Sequence, residues 1–148
     1  MQAENMETTS LEKALSIVKD YLELEQIRFE DRLKVEYEID EDTLDQQVPP
    51  MMLQTLVENA IKHGISKQVN GGFVKVTSDF IDNNHELIVE NTGHFNKTKN
   101  IEGFGIASTI NRIKLIYGND ANFEIKNING NMVKATVVLP VTAISFSK

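Results

Sequence analysis

The stretch LVENAIKHG, residues 56–64, sets Glu58, Asn59, Lys62 and His63 as two i,i+4 pairs side by side on one arc of an otherwise apolar helical pattern. Two outcomes suit a carboxylate, an amide, an ammonium and an imidazole so arranged. The commoner is a solvated helix face carrying a Glu58 to Lys62 surface pair. The other is one wall of a site for a cation and an anion. An amide oxygen beside a carboxylate suits Mg²⁺, which takes oxygen ligands, keeps several waters and shares itself with phosphates. Lys62, one turn beyond Glu58, brings positive charge toward such a phosphate. Asparagine in a helix interior costs about half a kcal/mol relative to alanine, so Asn59 needs a use.

Further along, GFGIAS at 103–108 places Gly103 and Gly105 immediately before a helical pattern. Glycine lets a backbone approach a phosphate without a Cβ in the way, and the free N–H groups of a first helical turn attract an anion. Lys97 and Lys99 add positive charge to the same loop. Taken alone, these glycines are equally a flexible connection and these lysines equally solvated loop residues.

The elements that must position these groups follow from periodicity. One long amphipathic helix is predicted from Leu11, with Ser10 as N-cap and Leu11, Leu15, Val18, Leu22 and Ile27 on its apolar stripe. LKVEYEID then alternates as a half-buried strand. Pro50 suits the first turn of a second helix, whose stripe of Leu53, Leu56, Val57, Ala60 and Gly64, bordered by Ile61, packs on a sheet. FVKVTSDFI and ELIVEN, joined by the turn DNNH, form a hairpin. IASTINRIKLIYG is the third helix, with Gly118 as C-cap, and NFEIKNI and MVKATVVLP close the chain around the turn NGN. That order predicts an α+β two-layer sandwich: a mixed, mostly antiparallel five-stranded sheet covered on one face by three helices. Residues 1–10 read as a tail and 11–148 as one domain.

Composition narrows the function. A chain of 148 residues suits one domain with one core. With 15 Lys+Arg against 22 Asp+Glu, a formal charge of -7, nucleic acid is not an expected partner, because binding a phosphate backbone needs a cationic footprint. The absence of cysteine excludes disulfides and thiolate metal sites and suits a reducing, cytoplasmic setting. No run approaches the roughly 20 apolar residues that span a bilayer, and MQAENMETTS is too polar for a signal peptide, although an anchor can precede this segment in a longer parent.

LVENAIKHG, GFGIAS and the later GNMVKATVVLP together resemble the ATP-binding domain of the gyrase, heat-shock chaperone, histidine kinase and MutL (GHKL) superfamily, whose fold is the Bergerat sandwich. YLELEQIRFEDRL and VPPMMLQTLVENAIKHGI resemble, more narrowly, the LytS-type sensor histidine kinases. The likeness runs from about Leu11 to Pro140. It implies ATP and Mg²⁺ as cofactors, Asn59 as the metal ligand, and Glu58 as a base or water-positioning group. It also implies Lys62 on the phosphates, His63 at the nucleotide, and Gly103, Gly105 and Ile106 along the lid and phosphates, with Gly130 as the glycine of the last box. The adenine-reading box falls on ENTGHF, with Asn91 and Gly93. There the family's usual Asp is replaced by Asn91, a neutral acceptor with roughly half the stabilisation of a charged one. Weaker ATP binding, tightened by Asn91→Asp, is the expectation. Phe95 stands where a second glycine is usual, Ser108 replaces an asparagine and Asn131 a threonine.

The function so implied is the catalytic domain of a two-component sensor kinase, moving the γ-phosphoryl group of ATP to a histidine outside this segment. Its implied partners are the histidine-bearing dimerisation segment of the parent and a response regulator. The parent is implied to be a homodimer anchored in the bacterial inner membrane, with this domain cytoplasmic. None of His63, His85 and His94 is assigned as the acceptor. Two alternatives share these residues: a degenerate nucleotide-binding module without catalysis, and a free-standing serine kinase of the anti-sigma type.

Overall fold

Alternation of apolar and polar residues in five segments builds one sheet, and three amphipathic stripes cover it. The structure is a computed structural model and describes residues 8–95 and 104–142. In chain order it runs β1 (Thr9–Ser10), α1 (Leu11–Phe29), β2 (Leu33–Ile39), β3 (Gln47–Val48), α2 (Met52–Asn59), β4 (Gly72–Ile81), β5 (Asn84–Thr92), α3 (Phe104–Tyr117), β6 (Asn122–Ile128) and β7 (Met132–Pro140). The main sheet has the order β2-β4-β5-β7-β6. Only its β2/β4 pair is parallel among these strands; β4/β5, β5/β7 and β6/β7 are antiparallel. The expected mixed, mostly antiparallel sandwich is therefore present. The pair β1/β3 adds a two-stranded antiparallel patch, too short for any period to announce.

Strand alternation sorts the core. Val74 and Val76 on β4, Leu87 and Val89 on β5, and Ala135 and Val137 on β7 are buried beneath the helices. Helix α1 starts as expected, with Ser10 Oγ accepting from the Lys13 amide at 3.2 Å. Its end differs. Ile27 is 71% exposed, and Phe29 is the buried residue. Five residues beyond Leu22 a side chain has turned about 140° away from the stripe, whereas seven residues beyond it lies about 20° off.

Helix α2 also differs at both ends. It begins at Met52, after Met51 in a left-handed conformation with φ 72°, so Pro50 precedes the first turn instead of occupying it. After Asn59 the helix widens into a π turn, Ala60–Gly64, and then tightens into a 3-10 turn, Ile65–Lys67. Ser66 Oγ–H is shared between the carbonyls of Ile61 and Lys62, at 3.0 and 2.7 Å, at this change of pitch. Helix α3 starts at residue 104, which places Gly105 inside its first turn and not in the loop before it. Gly118, φ 60°, follows its last residue, as a helix-ending glycine does.

The helix-facing row of β5 is apolar in its middle and polar at its ends, with His85 at one end and Asn91 at the other, both buried. At the His85 end, Thr43 Oγ1 donates to the Asp40 carbonyl and Ser78 Oγ donates to Thr43 Oγ1 at 2.7 Å. With its proton so committed, Ser78 Oγ accepts from His85 Nε2 at 2.9 Å. The ring is thus the Nε2–H tautomer, and its Nδ1 is buried without a partner. The Asn91 end opens into a cavity.

Candidate functional site

Between the end of α2, the π turn, the start of α3 and the sheet lies a small open cavity of about 30 Å³. Asn59, His63, Asn91 and His94 supply its polar groups, while Val89, Phe95, Ile106 and Val133 supply apolar walls. Four of the candidate site residues, Asn59, His63, Asn91 and Ile106, therefore meet at one place although they come from three separate stretches.

Asn59 is the last residue of α2, and its Nδ2 donates back to the Thr55 carbonyl at 3.2 Å. That bond fixes the amide plane and leaves Oδ1, the atom a hard cation prefers, outside it. Gly105 packs directly against this amide: a Cβ there would stand 2.8 Å from Asn59 Nδ2 and 3.1 Å from Thr55 Cγ2. The first turn of α3 thus reaches the metal-ligand candidate only because residue 105 has no side chain. Among the described residues no group of three or more His, Cys, Asp or Glu side chains forms a metal cage. A single amide ligand fits Mg²⁺, which keeps waters and draws its other oxygens from phosphates.

His63, in the π turn, is half-buried, and its pKa is lowered from 6.5 by burial and then by Lys62 and Lys67. A ring so placed is neutral near pH 7 and contacts a ligand as a hydrogen-bonding group. Glu58 and Lys62 do not line the cavity. Glu58 Oε2 accepts from Gln54 Nε2 at 3.0 Å. Glu58 also lies close enough to α1 to act on Tyr21, whose pKa is pushed up to about 12 by burial, then by Glu25 and Glu58. Lys62 is exposed. The polar arc of LVENAIKHG is thereby divided, Asn59 and His63 toward the cavity, Glu58 and Lys62 away from it.

Asn91 is 5% exposed, and its Nδ2 donates to the Thr92 carbonyl at 2.8 Å. Gly64 lies against the same nitrogen, so closely that a Cβ on Gly64 would overlap it. Gly93, φ 139°, approaches Gly64 in turn, and its amide donates to the Asn131 carbonyl at 2.8 Å. Phe95 is held by a reciprocal pair: its N–H donates to Asn127 Oδ1 at 2.8 Å and its carbonyl accepts from Asn127 Nδ2 at 3.0 Å. Gly130, φ 71°, is exposed in the β6/β7 turn, and a Cβ on it would meet nothing within 4 Å. Its conformation explains the glycine without any ligand. Gly103, Lys97 and Lys99 lie outside the described residues.

Thr55, Gly64 and Asn127 were not anticipated as parts of this site. Gly64 reads in sequence only as a small residue on the apolar stripe; Thr55 and Asn127 act through contacts that exist only once the layers are packed.

The chain is 36% identical to the sensor histidine kinase YpdA of Escherichia coli over 122 residues, 76% of this chain and 21% of that protein. It is 30% identical to the sensor protein LytS of Oceanobacillus iheyensis over 141 residues, 84% of this chain and 24% of that protein. Over most of its length the chain is homologous to a segment of LytS-type sensor histidine kinases. No family model matches it. The catalytic domain of histidine kinase ThkA superposes with a TM-score of 0.71 at 18% identity, covering 94% of this chain and all of that domain, so the LytS-type sequence and the histidine kinase catalytic fold coincide in one chain. The LytS-type chain spans about a quarter of the curated sensor kinases it matches.

Proposed function

We propose that this chain is the ATP-binding catalytic domain of a sensor histidine kinase and that Mg-ATP occupies the cavity, adenine at Asn91 and triphosphate toward Asn59 and the first turn of α3. The observation that carries the proposal is the convergence of Asn59, His63 and Asn91 on one cavity, with Gly105 pressed against the Asn59 amide. Asn59 Oδ1 holds the Mg²⁺, which when bound neutralises charge on the phosphates. The amides opening α3 face the phosphates with the positive end of their helix, and His63 contacts the nucleotide as a neutral ring. Phosphoryl transfer asks for positioning and charge stabilisation more than covalent chemistry from the protein. An incoming imidazole nitrogen forms the new N–P bond as the bond to the ADP oxygen breaks. Glu58, outside the cavity lining and held by Gln54, accepts the imidazole proton. Neighbouring residues thereby take separate roles, with Asn59 facing the nucleotide and Glu58 facing the incoming segment.

The acceptor histidine belongs to a dimerisation segment of the parent, and a response regulator takes the phosphoryl group onward. Histidine kinase ThkA has been solved in complex with the response regulator TrrA, which supports the second partner. The parent is proposed to be a membrane-anchored homodimer with this domain on the cytoplasmic side. No described helix is long and apolar enough to cross a membrane.

Calorimetric titration with ATP, with and without Mg²⁺, tests the site. Asn59→Ala is expected to lose at least about tenfold of the Mg-dependent affinity while melting at the temperature of the parent chain, since one charge-assisted contact is worth about 1.5–3 kcal/mol. An unchanged isotherm overturns the assignment. Mixing the chain with a histidine-bearing dimerisation segment and ATP should yield an acid-labile phosphoryl product; an acid-stable one points to serine transfer instead.

A further inference from the structure

Among the described strands the sheet ends on one side at β2, and the free edge there carries an ordered pattern. Asp40, one residue past the strand, donates its N–H to the Ser78 carbonyl on β4 at 2.9 Å. Backbone groups alternate sides along a strand, so Leu33, Val35, Tyr37 and Ile39 turn their N–H and C=O groups to the free edge. The Leu33 carbonyl is met there by the Gln26 side-chain amide at 3.2 Å, which leaves that oxygen a second lone pair. The side chains of the same four residues form the helix-facing row, while Lys34, Glu36 and Glu38 stand exposed on the open face of the sheet. Lys75 pairs with Glu38 at 2.9 Å; among the described residues Lys34 and Glu36 have no ion-pair partner. Beside the edge, α1 leaves an open groove walled by Lys19, Glu23 and Gln26 over Val35 and Tyr37. Ile27, 71% exposed, lies at its Leu33 end.

We propose that β2 pairs with the β2 of a second copy of this chain, antiparallel across a two-fold axis at Val35, so that the two sheets become one. Charges on an edge strand commonly guard it against such pairing. Here they select one register. Opposite residues of an antiparallel pair share a face of the sheet, so the axis must pass through a residue and not between two. An axis at Leu33 sets Lys34 against Arg32, one at Lys34 sets lysine against lysine, one at Glu36 sets glutamate against glutamate, and one at Tyr37 sets Glu36 against Glu38. Only an axis at Val35 sets Lys34 of each copy against Glu36 of the other. In that register Val35 faces Val35 and Leu33 faces Tyr37, and these outward-pointing residues exchange the backbone hydrogen bonds. Lys34 and Glu36 fall at the non-bonded positions, where side chains approach most closely. The second copy's Leu33 and Val35 enter the groove beside α1. At the other end strand, β6, Lys126 already pairs with Glu124 of the same strand at 3.9 Å, and Asn127 is bonded to the Phe95 backbone. The cavity lies over β5, β6 and β7, so pairing through β2 leaves it open. The contact is also separate from the dimerisation segment proposed for the parent.

Sedimentation velocity of the wild-type chain from micromolar to millimolar concentration reads the pairing, with a shift from monomer to dimer as the expected result. Lys34→Glu brings carboxylates together at both symmetric positions, and Glu36→Lys brings ammonium groups together. Each turns two attractive cross-strand pairs into repulsive ones and is expected to raise the dimer dissociation constant at least about tenfold. Mixed with each other, the two variants again oppose unlike charges at both positions, so a dimer of one copy of each is expected to return. A wild-type chain that stays monomeric at millimolar concentration overturns the inference. So does a dimer that both reversals leave unchanged, or a mixture of folded variants no more dimeric than its parts. In the wild type alone, the Val35 N–H is expected to exchange with solvent more slowly as the dimer forms. Exchange at Val35 that does not slow overturns the inference even where a variant does not fold.

Discussion

Gly105 and Gly64 meet a new methyl group in different ways. At Gly105 the obstacle is the end of the Asn59 side chain, 2.8 Å from where a Cβ would stand, and the amide can turn aside by giving up its one bond to the Thr55 carbonyl. Alanine also gains up to about 1 kcal/mol in a helix. Gly105→Ala is therefore expected to leave urea stability within about 1 kcal/mol of the parent while lowering Mg-dependent ATP affinity in calorimetry, because the amide that turns aside is the proposed metal ligand. At Gly64 the obstacles are the Asn91 amide nitrogen and the Thr92 carbonyl oxygen, the latter 2.9 Å from the Cβ position, and neither can yield. Gly64→Ala is expected to cost about 1–3 kcal/mol in the same urea titration, as overpacking does, and to lose nucleotide affinity as well. A Gly64→Ala chain as stable as its parent would show that the packing around Asn91 is loose. Asn59 was legible because an amide inside a helix has a local cost that demands a reason. Gly64 was legible only as an apolar-stripe residue, since its obstacle lies on a strand far away in sequence.

Strands and helices carry signals of their own, and β5 shows both their reach and their limit. The alternation of Leu87 and Val89 with half-buried neighbours announces the strand, but nothing local says that His85 and Asn91 extend the same buried row. His85 is read from its sequence neighbours as an ordinary turn residue; in the fold it binds β4 and β5 to the turn at Asp40–Thr43 through Ser78. Burial lowers its pKa from 6.5 to about 4, and the bare Nδ1, where a second proton would go, has no acceptor waiting. Between these two values the unfolded chain takes up a proton that the folded chain refuses. The contribution of His85 to stability is therefore complete above about pH 6.5 and is lost as pH falls toward 4, up to about 3 kcal/mol across the whole interval. His85→Gln keeps an amide donor for Ser78 and removes the titration. Its denaturation free energy is expected to fall less steeply than that of the parent between those pH values; parallel curves would show that other groups set the slope. Helix α2 makes the complementary point. Its apolar stripe is continuous in sequence through Gly64, yet the backbone changes from α to π at Ala60, because the residues after Asn59 answer to Asn91 and Gly93 as well as to their own helix. Such widened turns recur at functional sites, where a side chain must be re-aimed, and here the turn carries His63 into the cavity.

The cavity belongs to neither layer alone. Its walls come from the helical side through Asn59, His63 and Ile106 and from the sheet through Val89, Asn91 and Val133, so a nucleotide bound as proposed would bridge the two halves of the core. The two layers were legible from periodicity, and the approximate meeting of α2, α3 and β5 was implied by the family resemblance; the depth of the cavity was legible from neither, because it depends on which glycines let the layers close. A ligand held across both layers is released when they separate, so its binding free energy adds to the free energy of global unfolding. At a concentration about a hundred times its dissociation constant it contributes about 2.7 kcal/mol. For a chain of 148 residues that corresponds to a rise in melting temperature of roughly 5–10 °C. Mg-ATP is expected to produce a shift of this size in a thermal melt and ATP without Mg²⁺ a smaller one. Ile17 and Leu24, exposed on the outer surface of α1, give the control. Replacing either by a polar residue should leave the Mg-ATP shift intact, whereas Asn59→Ala should remove its metal-dependent part. A melt unmoved by saturating Mg-ATP would mean that the nucleotide does not bridge helices and sheet.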